Sequence, residues 1–200
     1  MITMPQTVQV LRSRRSVSQP RLAGSVIEDH EVVREALESA RWAPNHRHTE
    51  PWQFYLLDDQ RIRELARLNA ELLERGGSGP EKVALKRAQW EGVPGVVVFT
   101  VRSAPDADAV TRREDFAAVA CAAQNFMLHL WSEGVASKWS TASVWRHEGF
   151  WPLLGHDRDP GEEVVGIFFY GQASEVPAGR RRLPLDAVLT DFRAARPPAG

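Results

Sequence analysis

The chain has 200 residues, 43% hydrophobic and 26% charged, with a formal net charge of −1. That size fits one sizeable domain, and the composition excludes a disordered chain. The balanced charge gives no electrostatic case for nucleic acid or an acidic membrane, and the longest apolar run, Val96-Val97-Val98-Phe99, is far too short to span a bilayer.

The first apolar positions, Val8, Val10 and Leu11, fit a short helix over residues 6–12. Ser25-Val26-Ile27-Glu28 has the form of a capping box, and Val32, Val33, Ala36, Leu37 and Ala40 follow it at helical spacing until Pro44 ends the helix. Trp52–Leu57 reads as a strand between Pro51 and Asp58-Asp59. Ile62, Leu65, Ala66, Leu68, Leu72 and Leu73 predict a helix stopped by Gly76-Gly77. Pro80–Ala88 predicts a short helix with Val83 and Leu85 inward, and Val96–Val101 an interior strand.

Thr111-Arg112-Arg113-Glu114 reads as a second capping box. It opens a long segment with Phe116, Val119, Ala120, Ala123, Phe126, Met127, Leu130 and Trp131 in phase and small residues around them. Such a helix is buried on most faces, in a core or at a subunit interface, with Cys121 inside it. Val135–Thr141 and Val164–Tyr170 read as strands and Val144–Leu154 as a helix. The irregular interleaving favours an α+β sandwich with helices on both sheet faces over a doubly wound fold. The tail from Gln172 is rich in proline and arginine and too poor in apolar residues for its own core. It is expected to wrap the body or a partner, as an arm (172–200) on a single domain (1–171).

Cys121 is the only cysteine, which rules out an intramolecular disulfide, and no apolar segment follows the N-terminal arginines as in a signal peptide. A cytoplasmic protein is the expectation. Seven tryptophans stand against two tyrosines; core packing is the ordinary use of each, ring stacking the rarer one.

Two segments offer chemistry. Arg14-Arg15-Ser16 sets two guanidinium forks beside a hydroxyl, a donor set that suits phosphate; read alone such a run is usually a solvated surface face. Arg180-Arg181-Arg182 repeats the pattern at the other end of the chain. Between Pro44 and Pro51, His46 and His48 stand at H-x-H spacing beside Glu50. They could be metal ligands lacking a clear third, or part of a polar loop. No G-x-G-x-x-G, P-loop or G-x-S-x-G is present, so Rossmann, Walker and serine-hydrolase chemistry are not encoded.

Arg14-Arg15-Ser16-Val17, then Ala43-Pro44 and Pro51-Trp52-Gln53-Phe54, resemble the motifs of the nitroreductase family of FMN-dependent oxidoreductases, in its short bacterial branch. The typical motifs are Arg-Arg-Ser-Val/Ile-Arg and Ala-Pro-Ser-x-x-Asn-x-Gln-Pro-Trp. Ala122–Leu128 resembles the family's central helix, Gly166–Gly171 its late strand, and Arg180-Arg181-Arg182-Leu183-Pro184-Leu185 its basic C-terminal motif.

The resemblance implies a three-layer α-β-α sandwich, an intertwined homodimer with each arm on its partner, and FMN at the subunit interfaces. It implies phosphate and ribityl contacts from Arg14, Arg15 and Ser16, and flavin contacts from His46 and His48. Trp139-Ser140-Thr141 would lie over the flavin ring, and Arg180 and Arg182 would close on the phosphate. Ser18, Asn45, His48 and Glu50 depart from the family pattern. The implied activity is ping-pong hydride transfer from NADH or NADPH through FMN to a small electron-poor acceptor, a nitroaromatic or quinone. The alternatives are a flavin-storage protein, or a relative that dehalogenates substrates or fragments flavin.

Overall fold

A computed structural model of the chain describes residues 4–23, 30–180 and 183–192. Its centre is β3 (Gly95–Arg102), a β-branched run buried on both faces, as an interior strand must be. Val96 and Val98 enter one core, while Val97, Phe99 and Val101 enter the other. β2 (Trp52–Leu57) pairs antiparallel on one side of β3 and β5 (Glu162–Ala173) on the other. β5 also pairs antiparallel with β4 (Ala136–Ser140) and, at its far end, with β1 (Leu22–Ala23). The result is a five-stranded antiparallel sheet.

Helices cover both faces. α3 (Asp59–Arg75), α4 (Pro80–Glu91) and α6 (Phe150–Leu153) bury one core, α2 (His30–Ala40) and α5 (Ala109–Ser132) the other. The α5 side is held by Phe99, Phe126 and Phe168, with ring centroids 4.6 to 5.9 Å apart. Each such ring contributes about 2–3 kcal/mol by burial. α1 (Met4–Ser13) is tied to α5 by the Trp131 indole, whose N–H donates to Ser13 Oγ at 2.9 Å. This is the three-layer sandwich that the sequence predicts.

β5 carries one irregularity that sets its chemistry. Phe99 faces Gly166 but Thr100 faces Val164, so Val165 is an extra residue, a β-bulge. The bulge reverses the alternation. Val165 joins the α2–α5 core, and Glu162 reaches Thr100 and Tyr55, which lie on the α3 face.

Several local expectations shift. α5 opens at Ala109, because Asp108 caps it by accepting from the Thr111 N–H at 2.7 Å; Thr111 supplies the donor and is not the cap. Its outer face leaves Cys121 exposed and Phe116 42% exposed. Leu85 points outward on α4 while Val83 is buried. The expected helix over Val144–Leu154 is two short pieces, a 3₁₀ turn at Ser143–Arg146 and α6, separated by His147–Gly149. The capping box at 25–28 lies outside the described residues.

The two tyrosines both resist ionisation. Burial, then the hydrogen bond to Glu162, pushes the Tyr55 phenol up to about 12; burial does the same for Tyr170. A phenol with a raised native pKa lends stability that is complete below pH ~10 and lost as pH climbs toward about 12. Spectrophotometric titration of the native protein is therefore expected to show phenolate only near pH 12, and of the urea-unfolded chain near pH ~10. Native tyrosines titrating at the unfolded value would refute the packing described for both.

Candidate functional site

The Arg14-Arg15-Ser16 run leaves the end of α1. The Arg14 N–H still donates to Val10 O at 3.0 Å. Ser16 then bridges Ser137 in parallel, and the Val17 N–H donates to Ser137 O at 3.1 Å. Val17 is fully buried, so an apolar plug fixes where the polar residues before it stand. Arg15 Nη1 donates to the carbonyls of Arg12 at 2.6 Å and Arg14 at 2.9 Å, satisfying oxygens that the helix end leaves open.

The C-terminal arm returns to this point. Beyond β5, the Ser174 N–H donates to Arg21 O at 2.9 Å, and Arg21 pairs with Glu175 at 3.3 Å. The chain then passes so close to Arg15 that a Cβ on Gly179 would lie 2.0 Å from Arg15 Nη2. Leu11, Arg12, Arg15, Gly179 and Arg180 together line a cavity of about 340 Å³. The structure thus brings Arg15 and Arg180 into one cationic pocket and adds Arg12, which sequence reasoning missed although it belongs to the same basic run. Arg14 is half-buried beside them and Ser16 is exposed; Arg182 lies outside the described residues.

The second segment docks on α5. His46 Nδ1 lies 2.8 Å from Glu114 Oε2. The Thr49 hydroxyl donates to Asp115 Oδ1 at 2.6 Å, and the Ser103 hydroxyl to Asp115 Oδ2 at 2.8 Å. Asn45 closes the loop on itself, donating to Thr49 Oγ1 at 3.0 Å and accepting from the Glu50 N–H at 2.7 Å. These bonds hold Arg47, His48 and Glu50 at φ of 60°, 51° and 45°, a left-handed conformation that residues other than glycine resist. His48 is exposed. Among the described residues no group of three His, Cys, Asp or Glu is placed to hold a metal ion.

Asp115 is the buried centre of that loop's attachment, 2% exposed. Asp115→Ala is expected to lower stability by about 2 kcal/mol, because it strands two hydroxyls and frees a strained loop. Limited proteolysis should then cut within 45–50 before any other described segment. An unchanged melting temperature and cleavage pattern would refute this.

Trp139, Ser140 and Thr141 close β4. The Trp139 indole donates to Val165 O at 3.1 Å and packs on Phe168 at 5.3 Å, so its ring faces the α2–α5 layer. It fills the space over Gly166, where a Cβ would lie 2.0 Å from Nε1. Ser140 is half-buried and its Oγ accepts from the Ala142 N–H at 3.3 Å; Thr141 is exposed. Lys138 points to the opposite face and donates to Gln19 Oε1 at 3.1 Å, with burial lowering its pKa.

Known proteins share this fold. The Nitroreductase family model matches residues 11–172, which span the arginine run, the His46–His48 loop and the sheet up to Gln172. The chain belongs to the nitroreductase family. YfhC of Bacillus subtilis, which carries the name NAD(P)H nitroreductase, is 28% identical over 94% of this chain and 100% of its own. A nitroreductase-like protein of Bacillus cereus superposes with a TM-score of 0.76 at 25% identity, covering 97% of this chain and 100% of that one. A nitroreductase structure from Desulfovibrio desulfuricans in complex with FMN shares the fold, with a TM-score of 0.70 at 19% identity, covering 92% and 95% of the two chains. No helix among the described residues is long and apolar enough to cross a membrane.

Proposed function

We propose that the chain is an FMN-dependent NAD(P)H oxidoreductase working by a ping-pong cycle on small electron-poor acceptors such as nitroaromatics or quinones. The observation that carries this reading is the cationic pocket where Arg12 and Arg15 meet Arg180 of the arm. Its donors fit a terminal phosphate, and Gly179 leaves the room that a bulkier residue would take from Arg15. The FMN bound in the Desulfovibrio desulfuricans structure and the NAD(P)H in the name of the Bacillus subtilis relative point the same way.

When bound, FMN supplies the ring that accepts hydride from NAD(P)H and delivers it to the acceptor. The protein's part is binding and placement. Arg12, Arg14, Arg15, Arg180 and Arg182 would hold the phosphate, and Ser16 would add a hydroxyl donor. The segment Trp139–Thr141 would position the ring through backbone groups and Ser140, since the Trp139 side chain is committed to Val165. His46 and His48 sit by the start of α5 and the arginine pocket by its end, about 25 Å away, so they would reach a ring only in the site of a second copy. No side chain acts as a nucleophile.

Homodimerisation completes this reading. On the arm, Leu183, Leu185, Val188 and Phe192 are between 63% and 94% exposed, which is too much apolar surface for a free segment to leave in water. A second copy is the occupant that would cover the arm and the outer face of α5. The deciding experiment is anaerobic mixing of FMN-loaded protein with NADH or NADPH. Bleaching of the yellow colour and its return with a nitroaromatic are expected; FMN that binds but never bleaches would instead favour flavin storage.

A further inference from the structure

The chain that leaves β4 at Ser140 is anchored by a buried histidine that the proposed chemistry does not use. His147 is 4% exposed and stands between the 3₁₀ turn and α6. Its backbone N–H donates to Val144 O at 2.9 Å, and its carbonyl accepts from the Phe150 N–H at 3.0 Å. Its imidazole has two partners of opposite kind. Nδ1 accepts from the Gly149 N–H at 3.0 Å, which leaves the proton on Nε2, and Nε2 donates to Glu71 Oε2 on α3 at 3.0 Å.

Glu71 is itself fixed. Its other oxygen accepts from Arg67, which also grips Glu64. One turn on, Arg75 holds Glu148 with two bonds of 2.9 and 3.0 Å. A Cβ on Gly149 would stand 3.0 Å from Leu68 and 3.4 Å from His147 Nδ1, so this corner has little slack. Between the two fixed ends, Val144 is fully buried in the α3-side core. Thr141–Ser143 is therefore suspended between the sheet edge and an imidazole strut bolted to α3.

We infer that His147 is a positioning residue: through Glu71 it sets the height of the Ser140–Ser143 segment against the flavin ring, and so tunes flavin retention and redox potential. The inference rests on the proposed FMN site. His147 does not touch the flavin; it acts through the backbone of the segment it anchors.

The test uses the full chain loaded with FMN. His147→Asn keeps an acceptor for the Gly149 N–H but cannot reach Glu71. His147→Gln and Glu71→Gln keep the amide or carbonyl partner across the gap. His147→Asn and Glu71→Ala are expected to release FMN about tenfold faster, the effect of one lost hydrogen bond to a charged group. Both should also shift the visible flavin spectrum and the midpoint potential in the same direction. The two glutamine variants should return release to within about threefold of wild type. If His147→Asn does not fold, Glu71→Ala carries the same comparison. Variants that lose thermal stability yet keep the wild-type spectrum, potential and release rate would overturn the inference alone. A wild-type chain that takes up no FMN would overturn both this inference and the proposed function.

Discussion

Replacing Arg15 and Arg180 together by alanine is expected to weaken FMN binding about a hundredfold and riboflavin binding by no more than about twofold. The two ligands differ only in the phosphate, so the difference isolates what the arginines contribute. A hydrogen bond to a charged group contributes about 1.5–3 kcal/mol, and both side chains stand in a pocket open to water, which places each at the low end. Two such contacts sum to about 3 kcal/mol, or two decades in affinity. The loss should shrink as salt is raised, because the screened part of the attraction is already gone. Arg15 has a second task, capping the carbonyls of Arg12 and Arg14, so the thermal midpoint should fall slightly as well. That fall is independent of ligand and is measured on the empty protein. Equal losses for FMN and riboflavin would remove the phosphate from this pocket.

Gly166→Val is expected to destabilise the protein by about 3 kcal/mol, lowering the melting temperature by about 6–12 °C. The new Cβ would lie 2.0 Å from Trp139 Nε1 and 2.5 Å from Cδ1. The indole cannot retreat cheaply, because its N–H is bonded to Val165 O and its ring packs on Phe168. Trp139→Ala alone should also destabilise, by loss of packing and of that hydrogen bond. The double variant should be far better than the sum of the two, since removing the indole removes the clash. Strict additivity in this cycle would mean that the contact is not the source of either effect.

Much of this architecture was legible because local and tertiary signals agreed. Trp52–Leu57 is found at its predicted bounds, set by Pro51 before it and by Asp58, which caps the next helix by accepting from the Arg61 N–H. β3 was legible from its β-branched run. Cys121 was not: the alanines at 117, 118, 120, 122 and 123 blur the edge of the apolar face, although Arg113 and Gln124 share its exposed stripe. The segment 144–154 has apolar residues at helical spacing, but the corner formed by His147 and Gly149 diverts the backbone. Each arginine of the anion pocket was visible singly. Their convergence depends on β5 pairing with β1 and delivering Gly179 to Arg15, a tertiary event with no local signature. His147 and Glu71 are far apart in sequence, and neither sits in a motif.

The extra residue in β5 also sets how the length of this chain can vary. Removing Val165 alone would leave Gly166 opposite Phe99 and Val164 opposite Thr100, a regular ladder in which Glu162 still accepts from Tyr55, Thr100 and Arg102. Removing two residues between Gly161 and Gly166 would instead turn Glu162 toward the apolar α2–α5 core. Deletion variants surviving in a library built across residues 161–166 should therefore have lost one residue and not two.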